Sequence, residues 1–189
     1  MRKLIWVCHY LDKLGYVAGS EGNISIRREN EIYIKASGVY LAEAKEGDFV
    51  KVDLSGKWEG KKRPSIELPM HLAIYKVRKE VNAIIHSHPP YTTALSVLDI
   101  PIELITEEAR MYLSDGVRVI GYREPGSQAL AKDVENAVKR GVNLLILRGH
   151  GVVALGGSIE EALERTIAIE RCAHVLYLVN LLKRRVLFK

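Results

Sequence analysis

Apolar residues recur along this chain with two periods, and the period changes from segment to segment. Near the N-terminus Leu4, Cys8, Leu11 and Leu14 fall at steps of three and four, which predicts a helix over residues 3 to 16 with Gly15 as its stop signal. The period then drops to two. Ile24, Ile26, Ile32 and Ile34 alternate on either side of Glu29 and Asn30, the pattern of two strands joined by a short turn. DFVKVDLSGKW predicts a second hairpin with Ser55 and Gly56 at its corner. A helix follows from Leu68 to Arg78, where Leu72, Ile74, Tyr75 and Val77 hold helical spacing and Pro64, Ser65 and Pro69 mark the start.

The second half repeats the alternation of types. VNAIIHSH reads as a short buried strand, Tyr91 to Leu98 as a short helix, and VRVIGY as a strand. Ser127 caps a helix that Gly141 ends, and NLLILRGHGVVAL reads as the most apolar strand run. A last long helix opens at Ser158 with Glu161 in a capping box, and its Leu163, Ile167, Cys172, Leu176 and Val179 suit both core and subunit contacts. There is no repeat, low-complexity tract or linker, so residues 1–189 are expected to form a single mixed α/β domain.

Composition narrows the class. With 48% hydrophobic and 27% charged residues, the chain has the balance of a soluble globular protein. No apolar run approaches the roughly 20 residues of a membrane span, and MRKLIWVCHYLDK meets charge too early for a signal peptide, so a cytoplasmic location is expected. Cys8 and Cys172 are the only cysteines and lie in apolar helical patterns, which excludes a disulfide framework and a thiolate zinc site. The net charge of +5 raises nucleic acid as a partner. Its densest clusters, GKKRP and LLKRR, have no interleaved aromatics, and the second complements a helix C-terminus, so no nucleic-acid partner is expected.

The candidate chemistry begins in AIIHSHPP. On a strand, His86 and His88 point to one face while Ser87 points away, a spacing that suits either a metal-ligand pair or two hydrogen-bonded surface histidines. His150, between Gly149 and Gly151 at the end of NLLIL, tilts the balance toward metal. Three histidine ligands leave one coordination position open, the pattern of a catalytic zinc site. His9, His71 and His174 lie on predicted helices and read as packed or exposed side chains rather than ligands. Glu67 precedes a helix, where it either complements the helix N-terminus or, folded toward the histidines, ligates a cation or moves a proton.

GSEGNISIR, IKASGVYLAEAKEGDFVKVD, PSIELPMHLAIYKVRKEVNAIIHSH, EPGS and ILRGHGVVALGG, in this order and spacing, resemble the class II aldolase and adducin family. IELITEEARMYL brings the chain nearest to the family's short archaeal members that act on L-fuculose 1-phosphate. The resemblance implies a three-layer α/β/α fold with a central, mostly antiparallel sheet, and a homotetramer with active sites between subunits. It implies one Zn2+ per subunit on His86, His88 and His150, with Glu67 as ligand of the empty metal and as acid/base once substrate binds. Gly22, Asn23, Ser37, Gly38 and Ser65 match the loops that hold the substrate phosphate. The implied reaction is reversible cleavage of a ketose 1-phosphate to dihydroxyacetone phosphate and an aldehyde such as L-lactaldehyde. A sugar-phosphate 4-epimerase or dehydratase would share this chemistry. A non-catalytic adducin-like scaffold would not need the histidines.

Several positions depart from the family pattern. Glu21 brings a negative charge toward the phosphate loops, Ile66 removes a hydroxyl, and Lys35 offers a compensating charge. The tyrosine expected at the aldehyde end falls near Ile105, with Tyr112, or Glu107 and Glu108 of a neighbouring subunit, as candidate replacements.

Overall fold

Residues that alternate along a strand feed both faces of a sheet, and here both faces are apolar. In β4 (Ala83–Ser87), Ile84 packs on one side while Ala83 and Ile85 pack on the other. The same split runs through β6 (Leu144–Leu147), where Leu145 and Leu147 oppose Leu144 and Ile146, and through β7 (Gly151–Gly156), where Val153 and Leu155 oppose Val152 and Ala154. Such a sheet needs a helical layer on each face. One layer holds α2 (Leu68–Val77) and α5 (Gln128–Val138). The other holds α1 (Arg2–Lys13), α3 (Pro90–Val97), α4 (Glu107–Tyr112) and α6 (Ile159–Val186). This is the expected three-layer α/β/α fold. The computed structural model describes residues 1–186 and side chains as far as Lys183, so most of the basic turn read from LLKRR lies outside the described side chains.

With β1 (Asn23–Arg28), β2 (Glu31–Lys35), β3 (Phe49–Asp53) and β5 (Val117–Ile120), the sheet has seven strands in the order β3-β2-β1-β4-β7-β6-β5. Every pairing is antiparallel except β5 with β6. The antiparallel registers bring the start of β1, the end of β2, the end of β4 and the start of β7 to one edge of the sheet. Every candidate residue read from the sequence lies on or beside these ends, except those assigned to the aldehyde end.

Three expectations are corrected. NLLILRGHGVVAL is a tight antiparallel hairpin rather than one strand: Leu147 pairs with Gly151, and Arg148, Gly149 and His150 form the turn, with Gly149 at φ 64°. A run of apolar residues hides that reversal because both arms are equally buried. The returning arm of DFVKVDLSGKW makes only an isolated bridge, Val52 with Trp58, because the Asp53 carboxylate draws Ser55 N, Ser55 Oγ and Lys57 N into a turn. At α6, Ser158 Oγ accepts from Glu161 N at 3.2 Å, but the Glu161 carboxylate accepts from Gly157 N instead of closing the box.

Candidate metal and catalytic centre

His86 is the penultimate residue of β4 and fully buried, and His88 lies just beyond the strand, its N–H donating to Tyr16 O at 2.7 Å. His150 reaches the same place from the β6–β7 turn. The approach is close enough to require glycine at residue 151, where a Cβ would lie 2.3 Å from Ser87 O and 2.7 Å from His88 Cδ2. The Gly149 N–H donates to Ser96 Oγ at 3.0 Å, which ties the turn to α3. Ring centroids of the three histidines are 4.7–5.0 Å apart, and one nitrogen from each falls within a group spanning 4.8 Å.

The donor set fits a cation. His86 Nδ1 lies 2.9 Å from Val152 O, so that nitrogen carries the proton and Nε2 is a bare lone pair in the neutral ring. Burial pushes the His86 pKa down to about 3, with the neighbouring His150 ring adding to the effect, and this keeps the His86 ring neutral. Its Nε2 faces His88 Nε2 at 3.1 Å, His150 Nε2 at 3.3 Å and Glu67 Oε2 at 3.1 Å. A proton on one neighbour could satisfy one of these approaches but not all three. Burial, then His86 and His150, pushes His88 down to about 4, so it too offers a lone pair at neutral pH. Glu67 Oε1 is buried without a hydrogen-bond partner among the described residues and lies 4.0 Å from His150 Nε2. A divalent ion here turns the mutual repulsion of these lone pairs into attraction.

The sequence-predicted loops close over this cluster. A cavity of about 210 Å3 is lined by Gly22, Asn23, Ser37, Gly38, Ser65, Glu67, His88 and His150, together with Ser20, Glu21, Lys35, Ile66 and Pro125. Gly22, at φ 65°, brings the loop against the sheet, where a Cβ would lie 2.8 Å from His86 O. Gly126 does the same for the EPGS segment, where a Cβ would lie 2.8 Å from Ile66 O. A larger cavity of about 550 Å3 between α2 and α5 holds none of the candidate residues, so size alone does not mark the site.

Individual contacts refine the loop roles. The Ser37 N–H is already committed to Arg63 O at 2.9 Å, leaving its hydroxyl for a ligand. Ser65 Oγ accepts from Glu67 N at 3.3 Å, so its own proton remains free to donate. Asn23 commits its amide to Glu67 and His71 rather than to the cavity. Lys35 is fully buried, its Nζ donating to Ser20 O at 2.8 Å and Val39 O at 2.7 Å, and burial lowers its pKa to about 8. The charge thus sits between the two loops and fastens them. Glu21 turns its carboxylate to His88 Nδ1, at 3.4 Å, and to Ala18 N, at 3.2 Å. Ile66 is 66% exposed at the cavity.

Other expectations fare differently. Ile105 and Tyr112 pack with the α4–α6 side of the fold, and none of Ile105, Glu107, Glu108 or Tyr112 lines the cavity of its own chain. His9 donates through Nε2 to Ala44 O at 2.9 Å, as a packed histidine would, and His174 stacks on Tyr91 at 3.9 Å. His71 is likewise packed, and it lies completely buried beneath the site between Ser25 and Asn23. No spacing along the chain announces that contact.

Comparison with known proteins points the same way. A family model described as the class II aldolase and adducin N-terminal domain matches residues 2–177. The L-fuculose phosphate aldolase of Methanococcus maripaludis strain C7 is 41% identical over 179 residues, covering 95% of this chain and 97% of that one. The protein of the same name from Methanocaldococcus jannaschii is 37% identical, covering 97% and 98%. Among solved structures, an L-fuculose 1-phosphate aldolase superposes with a TM-score of 0.86 at 30% identity, covering 95% of this chain and 85% of that one. The L-fuculose-1-phosphate aldolase of Thermus thermophilus gives 0.87 at 26%, covering 95% and 93%.

Proposed function

The chain belongs to the class II aldolase and adducin family, and from that premise we propose that it is a zinc-dependent aldolase that reversibly cleaves a ketose 1-phosphate, such as L-fuculose 1-phosphate, to dihydroxyacetone phosphate and an aldehyde such as L-lactaldehyde. The observation that carries this reading is the convergence of His86, His88 and His150 within 4.8 Å, beside a buried carboxylate oxygen that has no partner among the described residues. A divalent metal held by these histidines would supply a Lewis acid that draws electrons from a carbonyl group.

The chain's own residues do the rest. Glu67 removes a carbon-bound proton next to the carbonyl of dihydroxyacetone phosphate in the synthetic direction and returns it in cleavage. The Ser37 and Ser65 hydroxyls and the Gly38 N–H bind the phosphate, and Lys35 beneath the loops offsets its charge. Anchoring that remote group holds the reacting end near Glu67. The same reading makes the chain one subunit of a homotetramer, supported by large apolar side chains left exposed: Ile66 at the cavity, Leu98, Tyr122 and Leu182.

The test is direct. The purified protein is expected to hold about one metal per chain and to exchange a carbon-bound proton of dihydroxyacetone phosphate with solvent. Glu67→Gln should keep the metal and lower exchange by at least about 100-fold, whereas His86→Ala should lose metal and exchange together. Undiminished exchange in Glu67→Gln would move the base to another residue.

A further inference from the structure

Five polar side chains form an unbroken line from the interior to the site. His71 and Tyr75 lie four residues apart on one face of α2, and Asn23 and Ser25 lie two apart on one face of β1, so helix and strand present matching pairs. Tyr75 Oη lies 2.8 Å from Ser25 Oγ, Ser25 Oγ 2.7 Å from His71 Nδ1, His71 Nε2 2.5 Å from Asn23 Oδ1, and Asn23 Nδ2 2.7 Å from Glu67 Oε2. All five residues are buried.

The direction of every bond follows from the last one. An ionised carboxylate only accepts, so the Asn23 amide turns its NH2 to Glu67 and its oxygen to His71. That oxygen needs a donor, so His71 Nε2 carries a proton. Ser25 Oγ, 2.7 Å from Nδ1, has a proton to give and can itself accept from Tyr75 Oη at 2.8 Å, so the geometry fits a neutral ring with Nδ1 bare. Ser25 must then donate to Nδ1, and Tyr75 to Ser25. A ring flipped to the other tautomer would present a bare nitrogen to the Asn23 oxygen and remove the reason for the amide's orientation.

We propose that His71 is a positioning residue for the proton-transfer step: its Nε2–H tautomer fixes the Asn23 amide, which holds Glu67 Oε2 and leaves Oε1 as the oxygen free to take a proton. The role rests on Glu67 being the base, and it is separable from that reading. A histidine kept for packing alone has no required tautomer, and its replacement by a residue of similar bulk preserves what it does. A positioning histidine is sensitive to the lost donor, because misplacing a reacting group by about 1 Å costs on the order of 100-fold in rate.

Imidazole nitrogen NMR of the metal-free protein at pH 6 and 8, with the His71 resonance identified by its loss in His71→Gln, should show a neutral Nε2–H ring at both values. This readout is independent of any activity. In proton exchange on dihydroxyacetone phosphate, His71→Leu should lower kcat by about 100-fold with KM changed less than about threefold. His71→Gln, whose amide can donate to Asn23, should recover most of the loss. An Nδ1–H or charged ring overturns the proposal, even if His71→Leu does not fold. So does a folded His71→Gln that is as slow as His71→Leu, or a His71→Leu that keeps its kcat. Absence of exchange in the unaltered protein would instead refute the proposed reaction on dihydroxyacetone phosphate and leave the tautomer result standing.

Discussion

At the scale of single residues, the departures from the family pattern acquire physical meaning. Glu21 looked hostile to a phosphate because it adds negative charge, yet its carboxylate lies 3.4 Å from His88 Nδ1, on the ring edge away from the other histidines' Nε2 atoms. A carboxylate behind a metal-binding imidazole orients the ring and strengthens it as a ligand, typically by 10–100-fold in metal affinity. At about half exposure, Glu21 belongs at the low end. Glu21→Ala is therefore expected to weaken metal binding about tenfold, read by competition with a chelator. If it leaves metal affinity alone and instead lowers KM for dihydroxyacetone phosphate, the charge acts on the phosphate as the sequence suggested. The three convergent histidines were legible because each carries a local sign: a period-two pair, or flanking glycines. His71 was not, since its partners Ser25 and Asn23 stand 46 and 48 residues away and a lone histidine on a helix has no distinguishing pattern.

At the scale of elements, long periodic segments were legible and short or reversing ones were not. α2 and α5 lie within a residue or two of their expected spans, and Ser127 caps α5 as expected, accepting from Leu130 N at 3.1 Å. α4 is only six residues long, too short for a helical period to stand out. The start of α3 shows a different kind of gap. Its N-cap is Pro89, which makes no side-chain cap, and the orphan donors are satisfied from α6: Glu170 accepts from Tyr91 N at 2.9 Å and from Thr92 N and Oγ1 at 2.8 Å each. One helix thus pins the segment that leaves His88. Glu170→Ala strands buried donors at about 1–3 kcal/mol each, so denaturant unfolding should show a loss of several kcal/mol, and Glu170→Gln, which keeps one acceptor oxygen, a smaller one. Equal stability of all three proteins would mean that water replaces this cap at no cost.

At the scale of the whole molecule, a mixed α/β domain was legible from alternation and its three layers only through the family resemblance, but the energetic penalty of placing imidazoles inside it was legible from neither. His71 and His86 are held down to about 3 and His88 to about 4, in each case first by burial, whereas the unfolded chain protonates them near 6.5. Below 6.5 the unfolded state therefore binds more protons than the folded one, so stability is lost as pH falls, until each ring reaches its folded pKa. Each contributes at most about 1.4 kcal/mol per pH unit, about 4 kcal/mol for the three together. His88, about a fifth exposed, falls short of its share. Glu170 works in the opposite sense, because burial raises its pKa and its protonation favours the folded chain at low pH. The chelated protein should therefore melt up to roughly 8–16 °C lower at pH 5 than at pH 6. Saturating zinc should raise the melting temperature at pH 7 by mass action and widen the difference between pH 7 and pH 5, since protons then compete with the metal for the same nitrogens. A flat profile for the chelated protein from pH 7 to pH 5 would show that the folded site takes up protons without strain, and that these rings are more open to water than their burial implies.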